Sequence, residues 1–220
     1  MVVKFDPESE YAGQQLSMLT KLREIGGLDE KVLRALESVP RHRFVSPLLR
    51  DQAYADHPVS IGHGQTISQP WIVASMLQHA APKSEDKALE VGGGSGYMAA
   101  LLSLTCDRVV AVERVPQLAE LAVKNLHDVG ITNVEIVCGD GSIGWLARAP
   151  YDVIIVSAAV PTVPGQLTAQ LNDGGRMVVP VGCLEEQVLM SVVKNGNENN
   201  TRALYKCKFV PLLGKFGFQR

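Results

Sequence analysis

Short apolar runs and helical stretches alternate along the chain between residues 87 and 156. The apolar runs are bounded by polar or glycine-rich segments and are too short for ordinary helices, so they predict buried strands. The predicted strands lie near 87–91, 108–113, 133–137 and 152–156, with helices at 97–104, 115–129 and 142–147. This order favours an α/β fold with a doubly wound, mainly parallel sheet.

The pattern changes after residue 160, where strands follow one another with little helix between them. A short helix is predicted at 164–171, and strands are predicted at 176–181, 186–194 and 201–210. The connecting segment 195–200 begins with Asn195-Gly196, which favours a turn between two β runs. We therefore expect a C-terminal antiparallel hairpin that closes the sheet.

The first 80 residues predict helices and one long irregular segment. Helices are predicted at 7–24, with an apolar stripe of Leu16, Leu19 and Leu22, at 30–38, capped by Asp29, and from Ser68-Gln69-Pro70-Trp71 to about His79. Residues 40–67 show little periodicity, and loops of that length are usually functional. We expect residues 1–80 to form an appended helical segment with the substrate and active-site loop, packed on a cofactor-binding core of residues 81–220 in one compact domain.

Composition limits the possible classes of function. The chain has 220 residues, a formal net charge of -2 and 46% hydrophobic residues, which is typical of a globular protein and unlike a general phosphate-backbone binder. The triplet Arg41-His42-Arg43 is interpreted as a solvated turn rather than a nucleic-acid contact. No apolar run reaches the ~18 residues of a membrane span, so we expect a cytoplasmic protein without membrane partners. We also expect a monomer that does not bind nucleic acid. Cysteines and histidines show no ligand spacing, which predicts free thiols and no metal.

A glycine-rich turn follows the first predicted parallel strand, in the run Glu90-Val91-Gly92-Gly93-Gly94-Ser95-Gly96-Tyr97. Its spacing is Gly-x-Gly-x-Gly, and Tyr97 occupies the position of the last glycine in a dinucleotide fingerprint. Glu90 places negative charge where a pyrophosphate would dock, whereas a sulfonium cofactor with a free ammonium is attracted there. The run therefore favours S-adenosylmethionine, with S-adenosylhomocysteine as the product, over a nicotinamide cofactor.

Acidic residues follow the next two strands. Glu113 ends the strand 108–113, where its two oxygens can accept both ribose hydroxyls. Asp140 is placed to reach the adenine amino group, unless it only forms an Asx turn. Glu90 either binds the methionine ammonium or anchors the glycine loop through backbone N–H groups. The predicted cofactor-binding residues are Glu90, Gly92, Gly94, Ser95, Gly96, Tyr97, Glu113, Arg114, Asp140 and Gly141.

A second motif, Ile61-Gly62-His63-Gly64-Gln65-Thr66-Ile67-Ser68-Gln69-Pro70, lies upstream of the glycine run. Together with Ala53-Tyr54-Ala55-Asp56, Gly139-Asp140-Gly141 and Phe209-Val210-Pro211-Leu212, it resembles the protein-L-isoaspartate (D-aspartate) O-methyltransferase family over nearly all of residues 33–217. The family usually has threonine where this chain has Gly93.

This resemblance implies a repair enzyme that methylates the α-carboxylate of L-isoaspartyl and some D-aspartyl residues in damaged proteins and peptides. It also implies that Ser68 is the active-site serine and that Thr66, Ile67, Ser68 and Val210 contact the substrate peptide.

The expected reaction needs no general base, because a carboxylate with an ordinary pKa of ~4 is already ionised at neutral pH. Catalysis is expected to come from holding oxygen and methyl group in line. Ser68 is interpreted as an orienting hydroxyl, with N-capping of the next helix as the alternative. His63 is the neighbouring candidate for a base, and Trp71 is expected to pack in the core. Two other functions stay open at this point: methylation of another carboxylate or a hydroxyl, and binding of cofactor or isoaspartyl protein without turnover.

Overall fold

Helices dominate the first third of the chain, and strands dominate the last third. The structure is a computed structural model that describes residues 7–219. Its α-helices are α1 (Pro7–Ile25), α2 (Glu30–Ser38), α3 (Pro70–Ala80), α4 (Tyr97–Ser103), α5 (Pro116–Asp128) and α6 (Gly165–Thr168). Its strands are β1 (Val59–Gly62), β2 (Gln65–Ile67), β3 (Lys87–Val91), β4 (Arg108–Glu113), β5 (Val134–Cys138), β6 (Tyr151–Val156), β7 (Leu171–Gly182), β8 (Gln187–Asn195) and β9 (Glu198–Cys207). Over residues 7–219, no helix combines the length and the apolar character needed to cross a membrane.

The central sheet contains seven strands in the order β5-β4-β3-β6-β7-β8-β9. Strands β5, β4, β3, β6 and β7 pair in parallel, and β8 and β9 add two antiparallel neighbours. The shorter strands β1 and β2 form a separate antiparallel hairpin. The predicted doubly wound, mainly parallel α/β sheet with a C-terminal antiparallel hairpin is confirmed.

Apolar side chains cover both faces of this sheet. On one face, Ala88 and Ile155 belong to a cluster with side chains of α1 to α5. On the other face, Leu89 and Ile154 pack with α6 and with Leu212 from the C-terminal segment. Because successive residues of each strand enter different cores, the strands are continuously apolar rather than alternating with a period of two.

Parallel pairing brings the carboxyl ends of β3, β4, β5 and β6 to one edge of the sheet. Val91 pairs with both Val112 and Val156, and Glu113 pairs with Cys138. The segments that follow these four strands therefore lie side by side. This edge is where open α/β sheets bind their ligands.

The prediction of a helix at 142–147 is wrong. This stretch instead forms 3₁₀ turns at Gly141–Ile143 and Leu146–Arg148. The Asp140 side chain accepts the backbone N–H of Ser142, and Gly144 adopts a φ of +68°, so a continuous helix is interrupted between the two turns.

The C-terminal elements have different bounds from those predicted. Only Gly165–Thr168 of the predicted helix 164–171 is helical, because strand pairing of Leu171 with Tyr151 already starts β7 there. The turn predicted over 195–200 is shorter, since β8 ends at Asn195 and β9 begins at Glu198.

The first two helices differ in detail from their predicted faces. Leu19 and Leu22 are buried as expected, but Leu16 is 62% exposed and Met18 takes its place in the stripe. Asp29 occupies the N-cap position of α2 without making a side-chain cap, because its carboxylate accepts a hydrogen bond from Gln78 of α3 at 2.9 Å. Tertiary contact thus replaces the predicted local cap.

The segment 40–67 is more ordered than its sequence indicated. It contains 3₁₀ turns at Arg41–Phe44 and Pro47–Gln52, followed by the β1–β2 hairpin. The interpretation of Arg41-His42-Arg43 as a solvated turn is wrong for Arg41 and His42, which are 0% and 3% exposed, although Arg43 is exposed. The His42 ring has a polar partner inside the protein, since its Nδ1 lies 2.8 Å from the Tyr54 hydroxyl.

Candidate active site

The glycine run forms the turn between β3 and α4. The N–H groups of Gly92 and Gly93 donate to the carbonyl of Val112 at 2.9 and 3.2 Å, which ties the turn to β4. Gly96 is the N-cap of α4 with a φ of +89°, and a Cβ there would lie 3.2 Å from that of Ala122 in α5. Both its conformation and its surroundings therefore require glycine at position 96.

Gly93 is different from its neighbours in the turn. Its φ lies outside the left-handed region, and a Cβ would make an ordinary contact with the Cβ of Ala111 at 3.4 Å. The position that carries threonine in most of the family therefore has room for a β-carbon in this chain.

Glu113 anchors the glycine loop. Its two carboxylate oxygens accept the N–H groups of Gly94 and Val115, each at 2.8 Å, and the residue is 6% exposed. The loop-anchoring role that we considered for Glu90 is thus performed by Glu113. Carboxylate oxygens accept more than one hydrogen bond, so the ribose contact of Glu113 stays a prediction.

Glu90 is a buried carboxylate at the base of the loop. It is 1% exposed, its Oε1 accepts the Ser157 hydroxyl at 2.9 Å, and its Oε2 has no hydrogen-bond partner in the described structure. Burial raises its pKa to about 8, against the effect of the Ser157 hydrogen bond and with a contribution from the charge of Glu113. A partly unsatisfied acidic group facing a cavity is suited to a ligand ammonium, as the first of our two interpretations predicts.

Two cavities adjoin at Gly92, which lines both. The first lies between the start of α4 and β2, and its wall contains Ile61, Thr66, Ile67, Ser68, Glu90, Gly94, Ser95, Tyr97 and Ser157. The second lies beyond the end of β4, and its wall contains His63, Gln65, Glu113, Arg114, Gly141, Leu212 and Leu213. Most of the predicted cofactor-binding residues are therefore brought together. Gly96 and Asp140 are not among the lining residues of either cavity.

Asp140 is occupied by the protein itself. Its carboxylate accepts the backbone N–H of Ser142 at 2.9 Å and that of Lys215 at 2.8 Å. Partial burial opposes ionisation, but these hydrogen bonds outweigh it and lower the pKa of Asp140. The Asx-turn alternative describes these contacts, and the adenine contact stays a prediction.

Ser68 lies between the end of β2 and the start of α3. The N-cap of α3 is Gln69, so the interpretation of Ser68 as a capping residue is wrong. The Asp56 carboxylate performs part of that task by accepting the backbone N–H of Trp71 at 3.0 Å. Ser68 therefore does not cap α3, and it lines the first cavity instead.

An apolar cleft of about 500 Å³ lies on the other side of Ser68. Its wall contains Pro58, Thr66, Ser68, Gln69, Ile72, Ser157, Leu184, Lys208, Phe209, Val210 and Pro211. Thr66, Ser68 and Ser157 also border the first cavity, so these three hydroxyl-bearing residues form a wall shared by the two spaces. Of the predicted substrate residues, Ile67 lines the cavity rather than the cleft.

The two remaining candidate residues lie away from the shared wall. His63 has a φ of +53° in the turn of the β1–β2 hairpin and lines the second cavity with Glu113 and Arg114 rather than with Ser68. Trp71 is partly buried against the core, as expected, with its ring 5.0 Å from that of Tyr205. The position of His63 gives no support to its role as a base.

Sequence reasoning missed Ser157, which contacts Glu90 and borders both spaces. A usable signal existed, because Ser157 directly follows the strand predicted at 152–156 and so lies at the ligand-binding edge. It also missed Asp56, whose contact with Trp71 spans 15 residues and has no local signature.

A mainly parallel sheet of this order, with a glycine turn after β3 and a carboxylate at the end of β4, defines a Rossmann-like methyltransferase. The sequence model of the family protein-L-isoaspartate(D-aspartate) O-methyltransferase (PCMT) matches residues 13–217, and the chain belongs to this family. The family resemblance drawn from the motifs is thus confirmed.

Individual relatives agree with this assignment. A protein-L-isoaspartate O-methyltransferase of Methanoculleus marisnigri is 47% identical over 97% of this chain and 96% of its own length. One from Protochlamydia amoebophila is 50% identical over 87% of this chain and 92% of its own length. Among solved structures, a protein-L-isoaspartate O-methyltransferase gives a TM-score of 0.82 at 30% identity, covering 92% of this chain and 67% of that one. A Plasmodium falciparum relative in complex with S-adenosyl-L-homocysteine gives 0.78 at 26% identity, covering 90% and 97%.

Proposed function

We propose that this protein transfers a methyl group from S-adenosylmethionine to the α-carboxylate of L-isoaspartyl residues, and of some D-aspartyl residues, in damaged proteins. Membership of the family supports the acceptor class, and the relative with bound S-adenosyl-L-homocysteine supports the donor. The observation that carries the proposal is the position of Ser68 on the wall between the polar cavity and the apolar cleft. Residues 1–80 then supply most of the acceptor loop, and residues 81–220 supply the cofactor core and Val210.

The residues of the cavity fit the donor. Glu90 offers a carboxylate oxygen that has no partner among the described residues, and Glu113 lines the second cavity with a carboxylate that can accept further hydrogen bonds. When bound, S-adenosylmethionine supplies a sulfonium methyl group that a carboxylate oxygen accepts by in-line displacement, which leaves a neutral thioether. Glu90 would hold the ammonium, and the glycine turn leaves room for the methionyl chain.

The acceptor side needs orientation rather than proton removal. An isoaspartyl carboxylate is already ionised at neutral pH, so Ser68 has no proton to abstract for it. By donating its hydroxyl to one carboxylate oxygen, Ser68 leaves the other oxygen free to face the cavity. A serine donor is mild, whereas a direct cation would stabilise the anion and lower its reactivity. The methyl ester then cyclises to a succinimide, whose hydrolysis returns some normal aspartate.

The proposal is tested with pairs of peptides that differ only in an isoaspartyl or aspartyl linkage. Purified protein should transfer labelled methyl groups to the isoaspartyl peptide alone. Ser68→Ala should lower kcat by about 10- to 100-fold with little change in donor affinity, because only the orientation of the acceptor is lost. Equal labelling of both peptides would indicate another acceptor, and donor binding without any transfer would indicate a binding module.

A further inference from the structure

Among the residues whose burial the structure describes, Arg41 is the largest that is completely buried. Its guanidinium donates to backbone carbonyls, from Nε to Ala53 at 2.5 Å and from Nη2 to Ser68 at 2.7 Å. Burial lowers its pKa, while the nearby Tyr97 opposes the decrease. Placing a cation in a core is costly, so a guanidinium held there by two backbone carbonyls and the Tyr97 side chain calls for a role that an apolar side chain could not perform.

The bond to Ser68 controls the peptide plane that follows the serine. The Ser68 carbonyl belongs to the planar peptide group between Ser68 and Gln69. A hydrogen bond that fixes the direction of this carbonyl therefore fixes the ψ torsion of Ser68, the residue that carries the hydroxyl. The other end of this short stretch is held by Asp56, which accepts the Trp71 N–H at 3.0 Å and the Gln69 side chain at 3.3 Å. The stretch 68–71 is therefore fixed at both ends.

Arg41 also touches the cofactor side. Its Cζ atom lies 5.0 Å from the ring centroid of Tyr97, the first residue of α4 after the glycine run. Phe44, on the same 3₁₀ turn as Arg41, packs edge-on against that ring with centroids 5.5 Å apart. One guanidinium thus contacts both the acceptor loop and the residue that lines the donor cavity.

We infer that Arg41 is a positioning residue for methyl transfer, which aims the Ser68 hydroxyl and keeps the acceptor loop in register with the start of α4. The catalytic consequence of this inference rests on the proposed function. The structural coupling is independent of that function, because Arg41 contacts both loops whatever the acceptor is. Arg41 itself does not touch substrate, and it acts through the Ser68 backbone and the Tyr97 ring.

The experiment compares Arg41→Lys and Arg41→Met with Arg176→Met as a matched control. Arg176 is a largely buried arginine that also donates to two backbone carbonyls, those of Ala80 and Ala81, but it lies outside the site and pairs with Asp86. Its loss should lower the melting temperature without changing the chemistry. Lysine at position 41 keeps the charge but cannot bridge both carbonyls, and it is the variant of choice if Arg41→Met does not fold.

With saturating donor, Arg41→Lys should lower kcat for an isoaspartyl peptide by about 10- to 100-fold, the effect expected of a misplaced reacting group. The dissociation constant for S-adenosylhomocysteine should change less than about threefold, and Arg176→Met should keep wild-type kcat. A kcat within twofold of wild type for folded Arg41→Lys, or an equal loss in the Arg176 variant, would overturn the inference.

Amide hydrogen exchange distinguishes this result from a failure of the proposed function, since it needs no acceptor. Peptides covering residues 66–72 and 92–97 should exchange faster in Arg41→Lys than in wild type, while the same peptides stay unchanged in Arg176→Met. If wild type does not methylate isoaspartyl peptides, this exchange pattern still supports the positioning role. Unchanged exchange over 66–72 would refute it.

Discussion

At the scale of single residues, Glu90 is a carboxyl group whose pKa the fold raises into the neutral range. Burial is the main cause that raises its pKa to about 8, and the charge of Glu113 contributes to the increase. An ordinary glutamate would be ionised throughout the physiological range. Glu90 is therefore poised to change its charge when a cation enters the cavity.

We expect S-adenosylmethionine to release a proton from Glu90 on binding at neutral pH, because a nearby cation favours the ionised carboxylate. The dissociation constant of S-adenosylmethionine should fall as the pH rises toward about 8 and then level off. Titration calorimetry in two buffers with different ionisation enthalpies measures the proton directly.

Two variants test whether Glu90 is the source of the released proton. Glu90→Gln should bind more weakly and without proton release. Ser157→Ala should shift the pH dependence to higher pH, because the hydrogen bond from Ser157 lowers the pKa of Glu90. Equal proton release from wild type and Glu90→Gln would exclude Glu90 as the source.

Gly93 and Gly96 should respond oppositely to the same substitution. Gly93→Ala should be neutral or stabilise the protein by about 0.4–1 kcal/mol, because the Cβ fits and the unfolded chain loses freedom. Gly96→Ala should destabilise it by more than that, since its φ of +89° is left-handed and the Cβ would press on Ala122. Urea unfolding measures both, and comparable destabilisation of the two variants would show that Gly93 is constrained in another way.

At the scale of elements, the loop after β5 holds the C-terminal segment in place. Asp140 accepts the Lys215 N–H, and the Ser142 hydroxyl accepts the Phe216 N–H at 3.0 Å. Gly214 approaches so closely that a Cβ there would overlap the Asp140 carboxylate. This contact places Leu212 and Leu213 in the wall of the second cavity.

Asp140→Ala should release this segment, because two backbone N–H groups lose their acceptor. We expect faster tryptic cleavage after Lys215, measured by mass spectrometry against cleavage at other sites in the same digest. Asp140→Asn keeps one oxygen acceptor and should give an intermediate rate. An unchanged rate in Asp140→Ala would mean that other contacts hold the segment.

The sequence predicted the elements whose signals are local. Buried strands such as β3 and β6 can be predicted from their apolar runs. The turn after β3 can be predicted from its glycines, because a left-handed φ such as that of Gly96 favours glycine. The burial of Arg41 was not predictable in this way, because its carbonyl partners lie 12 and 27 residues further along the chain. The contact of Ser157 with Glu90 was not predictable either, since Glu90 lies 67 residues before it, although the position of Ser157 directly after β6 was a usable signal.

At the scale of the whole molecule, two carboxyl groups make the free energy of unfolding depend on pH in opposite directions. Glu90 binds its proton more tightly in the folded state, so its contribution is complete below the unfolded pKa of 4.5 and is lost as the pH rises through about 8. Asp140 has a lowered pKa in the folded state, so its contribution exists above the unfolded value of 3.8 and is lost as the pH falls.

The free energy of unfolding should therefore decline from mildly acidic pH toward about 8, and Glu90→Gln should flatten that decline. Urea unfolding at a series of pH values checks this, with Gln at position 90 as a neutral residue of similar shape. A decline of the same size in the variant would assign the effect to other groups.

The wall shared by cavity and cleft has a consequence for kinetics. Since Thr66, Ser68 and Ser157 border both spaces, we expect the methyl group to pass directly from donor to acceptor without being carried by the protein. Both ligands must then be present together, and initial rates over both concentrations should give intersecting double-reciprocal lines. Parallel lines would reveal a methylated form of the protein. Whichever ligand arrives first has to remain bound until the other joins it, so turnover depends on residence times as well as on chemistry.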